Sequence, residues 1–337
     1  MLHQEQFMKA QCIVFPRPLE ATVGQIEIGS PGVGQILTRT LMTGVSTGTE
    51  TRVFRGEQND STFPLIPGYE NLGEVIEAGP DAALAVGQRV YVRGLCYDPA
   101  PYTMCWGSQV SHALATASAC IPVPDGVADE RAIYAKVAGI SLHGVKRAKV
   151  AEGEWVVVVG LGIIGHLVVQ HAAIRGAKVI AIDIDEQRRT LAKDAGAVEV
   201  LDARAPDAVD RVHAITGGGA AVAFDATGRA DTLERTALYL KPRAWDDDPN
   251  RCGRLVLQGS VEQPVCLDYM ALFRREIDLI TPRDCDTADM VDSLALMADG
   301  RLRPELIRSQ VYSYRDAATA YPRLVDRTAM RVLYRWD

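Results

Sequence analysis

The sequence predicts an α/β protein in two parts, a partly open β-barrel domain and a doubly wound parallel sheet. Three observations predict it. Val156-Val157-Val158-Val159 is a β-branched run feeding into Gly160-Leu161-Gly162-Ile163-Ile164-Gly165, which suits a strand buried on both faces and a tight turn into a helix. Strand-like and helix-like segments alternate beyond that point, as in doubly wound sheets. Ahead of it, residues 11–124 read as short strands punctuated by Gly and Pro, which suits a barrel.

In order, strands are expected over residues 11–15, 35–40, 73–78 and 89–92, with turns at Pro31-Gly32 and Ala85-Val86-Gly87. After Pro122-Val123-Pro124-Asp125-Gly126 the texture changes to an Ala-rich helix over 128–149. The central strand follows, then a helix over 166–175 stopped by Gly176, and Lys178-Val179-Ile180-Ala181-Ile182-Asp183 as a second strand. A helix over 186–195 and a strand over 198–201 continue the alternation, as do strands running to Gly228 and Gly259. The acidic stretch Trp245-Asp246-Asp247-Asp248-Pro249-Asn250-Arg251 interrupts it as a solvated loop. A helix over 287–298 ends at Gly300, and a tail with a helix over 314–324 and a strand over 330–336 rejoins the barrel. The expected division is 1–135, 136–282 for the parallel-sheet domain, and 283–337 returning to the first.

With 337 residues, 47% apolar and 23% charged, the chain is long enough for two domains and reads as soluble and globular. A net charge of −7 offers nothing to a phosphate backbone, so nucleic acid is not an expected partner. No stretch approaches a membrane span, and residues 1–11 lack the layout of a signal peptide, so the expectation is cytoplasmic. Seven scattered cysteines, an odd number, read as reduced packing residues.

The glycine pattern points to a dinucleotide. Gly160 makes the turn, Gly162 lets backbone amides approach a pyrophosphate at the start of the helix that carries Ile163 and Ile164, and Gly165 permits close helix packing. Asp183, 18 residues beyond Gly165, stands where a carboxylate meets the adenosine ribose hydroxyls. It would repel a 2′-phosphate, so NAD is expected over NADP. Arg188 and Arg189 follow closely; Arg188 is a candidate ribose contact, and either could reach toward a phosphate.

Gly44-Val45-Ser46-Thr47-Gly48-Thr49-Glu50, Pro67-Gly68-Tyr69-Glu70-Asn71-Leu72-Gly73, Phe224-Asp225-Ala226-Thr227-Gly228-Arg229 and Gly300-Arg301-Leu302-Arg303-Pro304 occur in that order. Together they resemble the medium-chain dehydrogenase/reductase superfamily, which implies a GroES-like catalytic domain and a Rossmann domain over nearly the whole chain. With Gly79-Pro80-Asp81 and Ala85-Val86-Gly87, the pattern is most similar to the zinc-lacking branch of bacteriochlorophyllide a dehydrogenases and their relatives. The resemblance places Thr227 and Gly259 with the cofactor. It also brings Glu70 together with Arg331 in the last strand near the catalytic centre, where Arg331 also approaches the pyrophosphate. Homodimers or homotetramers joined through Rossmann edge strands are common in the superfamily.

The sequence departs from the zinc enzymes of that superfamily at the three catalytic ligand positions, which here hold Ser46, Tyr69 and Ala135. Catalytic zinc needs three protein ligands and an open position, so no metal is expected. Cys96 and Cys105 lack the close Cys-x-x-Cys partners of a structural zinc lobe. Alcohol oxidation must then find another group for the departing proton. The Tyr69 phenol could hydrogen-bond the substrate oxygen, yet with a usual pKa of about 10 it is a base only beside a cation. Lys136 is the candidate cation or, once desolvated, itself the acting group, and His143, seven residues on, is a candidate proton relay. Ser46 and Thr49 read as pocket or nicotinamide-ribose contacts. Each has a plainer reading: Tyr69 as filler of the vacated space, Lys136 as an exposed side chain, His143 as a packing residue, Arg331 as a surface arginine.

The expected activity is a zinc-independent, NAD-dependent dehydrogenase acting on a small-molecule secondary alcohol, cyclic or bulky, in a cleft between domains; a cyclitol, a sugar and a tetrapyrrole hydroxyethyl group all remain open. An NADPH-dependent enone or quinone reductase and a catalytically silent nucleotide-binding member of the fold are the alternatives.

Overall fold

A computed structural model of the chain describes residues 7–59, 61–243, 252–261 and 263–337. The acidic stretch 245–251 and most of residues 1–11 lie outside the described residues. The chain forms two compact units, Met1–Ala135 with Arg308–Asp337, and Lys136–Ile307.

The first unit is built on a seven-stranded sheet around Gln35–Gly44, which pairs antiparallel with Glu70–Ala78, His112–Thr116 and Val332–Arg335. Gln310–Ser313 lies beyond Val332–Arg335, while Arg89–Tyr91 and Ile121–Pro122 extend the other side. Met8–Val14 and Thr22–Ile28 form a hairpin, and Leu65–Ile66 pairs with Thr103–Met104. Apolar cores of this unit gather around Ile36, Val75 and Val90 and around Phe15, Phe54 and Tyr321. Sequence order matters less here than register. Gly44, Glu70 and Leu333 stand opposite one another across three strands, so the loops leaving those strands emerge side by side.

The second unit holds six parallel strands in the order Glu199–Asp202, Lys178–Asp183, Trp155–Val159, Val222–Asp225, Gly253–Leu257, Ile277–Ile280. The valine run explains why the sheet can be covered on both sides. Val156 and Val158 enter one core with Val168 and Phe224, and Val157 and Val159 enter the other with Ile180 and Leu255. Strand order reverses between Trp155–Val159 and Val222–Asp225, and at such a reversal the loops leaving the carboxyl ends part and leave a crevice.

The expected 128–149 helix is two, Asp129–Ala132 and Ala135–Arg147. The larger difference is the point of return. The chain rejoins the first unit at Arg308 rather than at 283, because Thr287–Ala298 packs within the second unit: Met290 meets Gly139, and Asp289 accepts hydrogen bonds from His143 and Lys146.

Candidate active site

In the second unit, three loops at the strand-order reversal pack backbone against backbone. Gly160 has φ +86°, and a Cβ there would stand 2.8 Å from the Thr227 nitrogen. A Cβ on Gly165 would overlap the Gly160 carbonyl oxygen, and one on Gly259 would lie 2.5 Å from the Gly228 nitrogen. Gly162 differs, having nothing within 4 Å of its missing Cβ. It caps the helix Ile163–Ile174 with no side-chain hydrogen bond to the first-turn amides. Amides so presented, next to open space, fit a pyrophosphate.

Asp183 ends its strand 6% exposed. Its Oδ2 accepts a hydrogen bond from the Leu161 nitrogen (2.6 Å) and its Oδ1 one from the Asp185 nitrogen (2.8 Å), which ties the carboxylate to the glycine turn. Each oxygen keeps a lone pair for a ribose hydroxyl. The two arginines are held by acids: Arg188 pairs with Asp185 at 4.0 Å, and Arg189 donates to the Asp183 carbonyl and lies 3.5 Å from Asp202. The Thr227 hydroxyl donates to Asp225 (2.6 Å), which also accepts from Thr232 and Thr236. Thr227 therefore stiffens its loop, and its hydroxyl is engaged. Ile163 is buried and packs the turn; Ile164 lies against the core that holds Val156. Sequence reasoning missed His166, fully buried behind the turn with neither ring nitrogen hydrogen-bonded. Burial and the nearby Arg188 push it down to about 4, so it is neutral.

In the first unit, the loop before the helix Thr49–Arg55 brings Ser46 and Thr49 to Tyr69. The Tyr69 hydroxyl donates to Ser46 Oγ at 2.5 Å, and Thr49 hydrogen-bonds the same phenol. Burial, reinforced by the charge of Glu70, pushes the Tyr69 phenol above its ordinary range. The expectation that a cation lowers it is thus corrected: the phenol stays protonated and its hydroxyl donates to Ser46. Lys136, proposed for that cation, ion-pairs with Asp284 and lies 3.7 Å from Cys285 Sγ. His143 Nδ1 is hydrogen-bonded to Asp289 Oδ2 at 2.9 Å, an anchor for the helix Thr287–Ala298. Both are occupied within the second unit.

Glu70 and Arg331 are fully buried and form a two-pronged pair, Nη1 to Oε1 at 3.2 Å and Nη2 to Oε2 at 2.6 Å. The guanidinium also lies 4.5 Å from the Tyr134 ring. A Cβ on Gly44 would stand 2.6 Å from Arg331 Nη2, so glycine is required there. Arg331, expected to serve both Glu70 and the cofactor, gives its fork to Glu70 and has no exposed surface. A second buried carboxyl, Glu50, was not singled out from sequence as a site residue. It is fully buried, accepts hydrogen bonds from Gln109 (3.1 Å) and Tyr321, and has one oxygen without a partner.

The donors do not fit catalytic zinc. A serine hydroxyl and a protonated phenol hydrogen-bonded to each other, with a buried alanine methyl at position 135, are not its ligand set. Among the described residues, His143, Asp286 and Asp289 converge closely enough to hold an ion. Lys146 already sits on Asp289, and Asp286 caps the helix that follows.

A parallel sheet with a glycine-lined helix start, in one chain with a mainly antiparallel sheet unit that gathers hydroxyls beside a buried ion pair, is the architecture of the pyridine-nucleotide dehydrogenases. Residues 32–125 match the alcohol dehydrogenase GroES-like domain, and residues 164–299 match the zinc-binding dehydrogenase family. The chain is 33% identical over 225 residues to an alcohol dehydrogenase of Rhizobium meliloti, an alignment covering 60% of this chain and 65% of that one. It is 30% identical over 241 residues to an alcohol dehydrogenase of Schizosaccharomyces pombe, covering 65% and 69%. Over 322 residues it is 26% identical to the 2-desacetyl-2-hydroxyethyl bacteriochlorophyllide A dehydrogenase of Cereibacter sphaeroides, covering 93% and 94%. An Escherichia coli oxidoreductase/dehydrogenase of unknown specificity has the same fold, with a TM-score of 0.86 at 19% identity over 97% of this chain and 99% of that one. The chain belongs to the medium-chain dehydrogenase/reductase superfamily, on its alcohol dehydrogenase side.

Proposed function

We propose that this protein is a zinc-independent, NAD-dependent dehydrogenase interconverting a secondary alcohol and a ketone on a cyclic or bulky substrate. The observation that carries the proposal is the Tyr69–Ser46 hydrogen bond, in which a phenol held protonated by its surroundings is steered by a hydroxyl. In ketone reduction the phenol turns its one O–H from Ser46 Oγ to the carbonyl oxygen, with Ser46 donating to the phenol oxygen in exchange, and stabilises the negative charge that grows there. In alcohol oxidation the substrate O–H proton would leave through the hydrogen-bonded hydroxyls of Tyr69, Ser46 and Thr49 to solvent water, each hydroxyl releasing one proton as it takes up another, while the carbinol C–H is given up as hydride.

Bound NAD supplies the hydride acceptor. The first-turn amides beyond Gly162 would hold its pyrophosphate and Asp183 its ribose diol. Asp183 supports NAD over NADP, because a 2′-phosphate would meet a carboxylate that the backbone holds in place. Turnover of a secondary alcohol with NAD that survives a strong chelator, by a preparation free of zinc, is the expected result. Stoichiometric zinc needed for turnover would overturn it.

A homodimer or homotetramer is part of the proposal. The parallel sheet ends on Ile277–Ile280, where Leu279 is 48% exposed, and Tyr269 and Phe273 stack in the open on the preceding helix. Unpaired sheet edges and exposed apolar groups are where copies of a chain associate. Light scattering giving a monomer at micromolar concentration would refute this. The assignment to the cytoplasm is likewise proposed, supported by the free cysteines among the described residues.

A further inference from the structure

Trp106 is an anomaly of the first unit. Its indole is 44% exposed, although an aromatic of that size ordinarily buries most of its surface. Its backbone has φ +67°, in the left-handed region that a bulky L-residue enters only when its surroundings compel it. They do so here from both sides. The Cys105 nitrogen donates to the Ile66 carbonyl (2.9 Å), and the Ser108 nitrogen to that of Gly68 (2.8 Å). Tyr97 donates to the Gly107 carbonyl (2.6 Å), and Gly107 itself has no room for a side chain, which would strike Met104 and Tyr97. The segment carrying Trp106 is thus laced to the segment leading into Tyr69. The two rings meet edge to face, centroids 5.5 Å apart and planes at 85°.

An exposed ring held rigidly beside a donor phenol is a surface for something to lie on. Its neighbours indicate what. On the Tyr69 side stand the hydroxyls of Ser46 and Thr49, and the other large apolar side chain exposed on this loop is Met104. A flat macrocycle would need a broad apolar wall, whereas one aromatic face beside several hydroxyls matches a saturated ring whose hydroxyls polarise its C–H bonds. Those C–H groups lie against the electron-rich ring face while the hydroxyls find polar partners. We infer that Trp106 is the platform for a hydroxylated six-membered ring, a cyclitol or a pyranose, seated with its carbinol carbon at the Tyr69 hydroxyl. The inference rests on the dehydrogenase reading above and narrows its substrate class.

The experiment uses the full chain with NAD and three probes: myo-inositol, methyl α-D-glucopyranoside and acyclic 2-butanol. Trp106→Ala is expected to raise KM for at least one ring probe by about tenfold or more beyond any change it makes for 2-butanol. Trp106→Phe, which keeps an aromatic face, should recover most of the loss. Which ring probe responds separates cyclitol from pyranose. Equal losses for ring and acyclic probes, or none, would overturn the platform. Tryptophan fluorescence gives a readout independent of turnover: the wild type should show a saturable change with the ring probe that Trp106→Phe lacks. That change without turnover of any probe would overturn the dehydrogenase reading and support the platform. Turnover of the ring probes without that change would do the reverse, and absence of both would overturn both.

Discussion

Arg331 and Glu70 meet with no exposed surface on either side chain, joining the last strand to the strand that follows Tyr69. Removing one partner leaves the other charged and buried, which costs about 3–5 kcal/mol. Arg331→Met is therefore expected to lower the urea midpoint sharply and to disturb Tyr69 next door. Glu70→Gln with Arg331→Met should recover part of the loss; a double variant no more stable than the singles would show that the pair is not a unit.

Tyr69→Phe keeps the ring against Trp106 and removes the hydroxyl that Ser46 steers. The expected result is a fall in kcat of about 10²–10³ with NADH affinity and melting temperature near those of the wild type. Ser46→Ala should fall less, since the phenol keeps its own donor. Steady-state kinetics with a turned-over alcohol, together with NADH titration, tests both.

Glu50 supplies a pH dependence. Burial pushes its carboxyl up to about 8, with the charge of Glu70 adding to the rise against hydrogen bonds from Tyr321 and Gln109. The folded chain thus keeps a proton that the unfolded chain releases near pH 4.5, so this group's stabilisation is full below that value and is lost as pH rises toward 8. The slope in that window is at most ~1.4 kcal/mol per pH unit. Urea unfolding between pH 5 and 9 should show Glu50→Gln gaining on the wild type as pH rises; parallel curves would mean that Glu50 is ionised throughout.

On the NAD reading proposed above, Asp183→Ser should weaken NADH binding by about tenfold and narrow the expected preference against NADPH, because the repelling carboxylate is gone. The Leu161 and Asp185 amides lose their acceptor as well, so some loss of stability should accompany it. Fluorescence titration with both nucleotides reads the ratio directly. A variant still rejecting NADPH as strongly as the wild type would move the source of discrimination elsewhere, with Arg188 and His166 the neighbours to test.

Much of the fold was legible because it depends on local pattern. Four valines needed two apolar faces, and glycines at 160 and 165 stand where the structure has no room for a side chain. The order of the six strands is not local, and nothing in the spacing announced that Thr287–Ala298 belongs with the second unit. The same holds for the site. Ser46 and Tyr69 could be named from their motifs, but the partners of Lys136 and His143 lie near residues 284–289, out of reach of any spacing argument. Glu50 read as part of a motif until its burial showed a carboxyl without a cation among its named contacts. Trp106 was hidden because nothing in a sequence tells an exposed tryptophan from a buried one.

Gly162 separates two demands that its neighbours fuse. At Gly160, Gly165 and Gly259 a methyl group offends the architecture itself, so a damaged enzyme made there reports mainly on misassembly. Gly162 has φ −70° and vacant surroundings, and alanine would be at ease in that backbone. Its methyl would intrude only on whatever occupies the mouth of the helix. On the nucleotide site proposed above, Gly162→Ala is expected to keep the wild-type melting temperature and lose NADH binding, which would make it the blank against which binding signals from any other variant are zeroed.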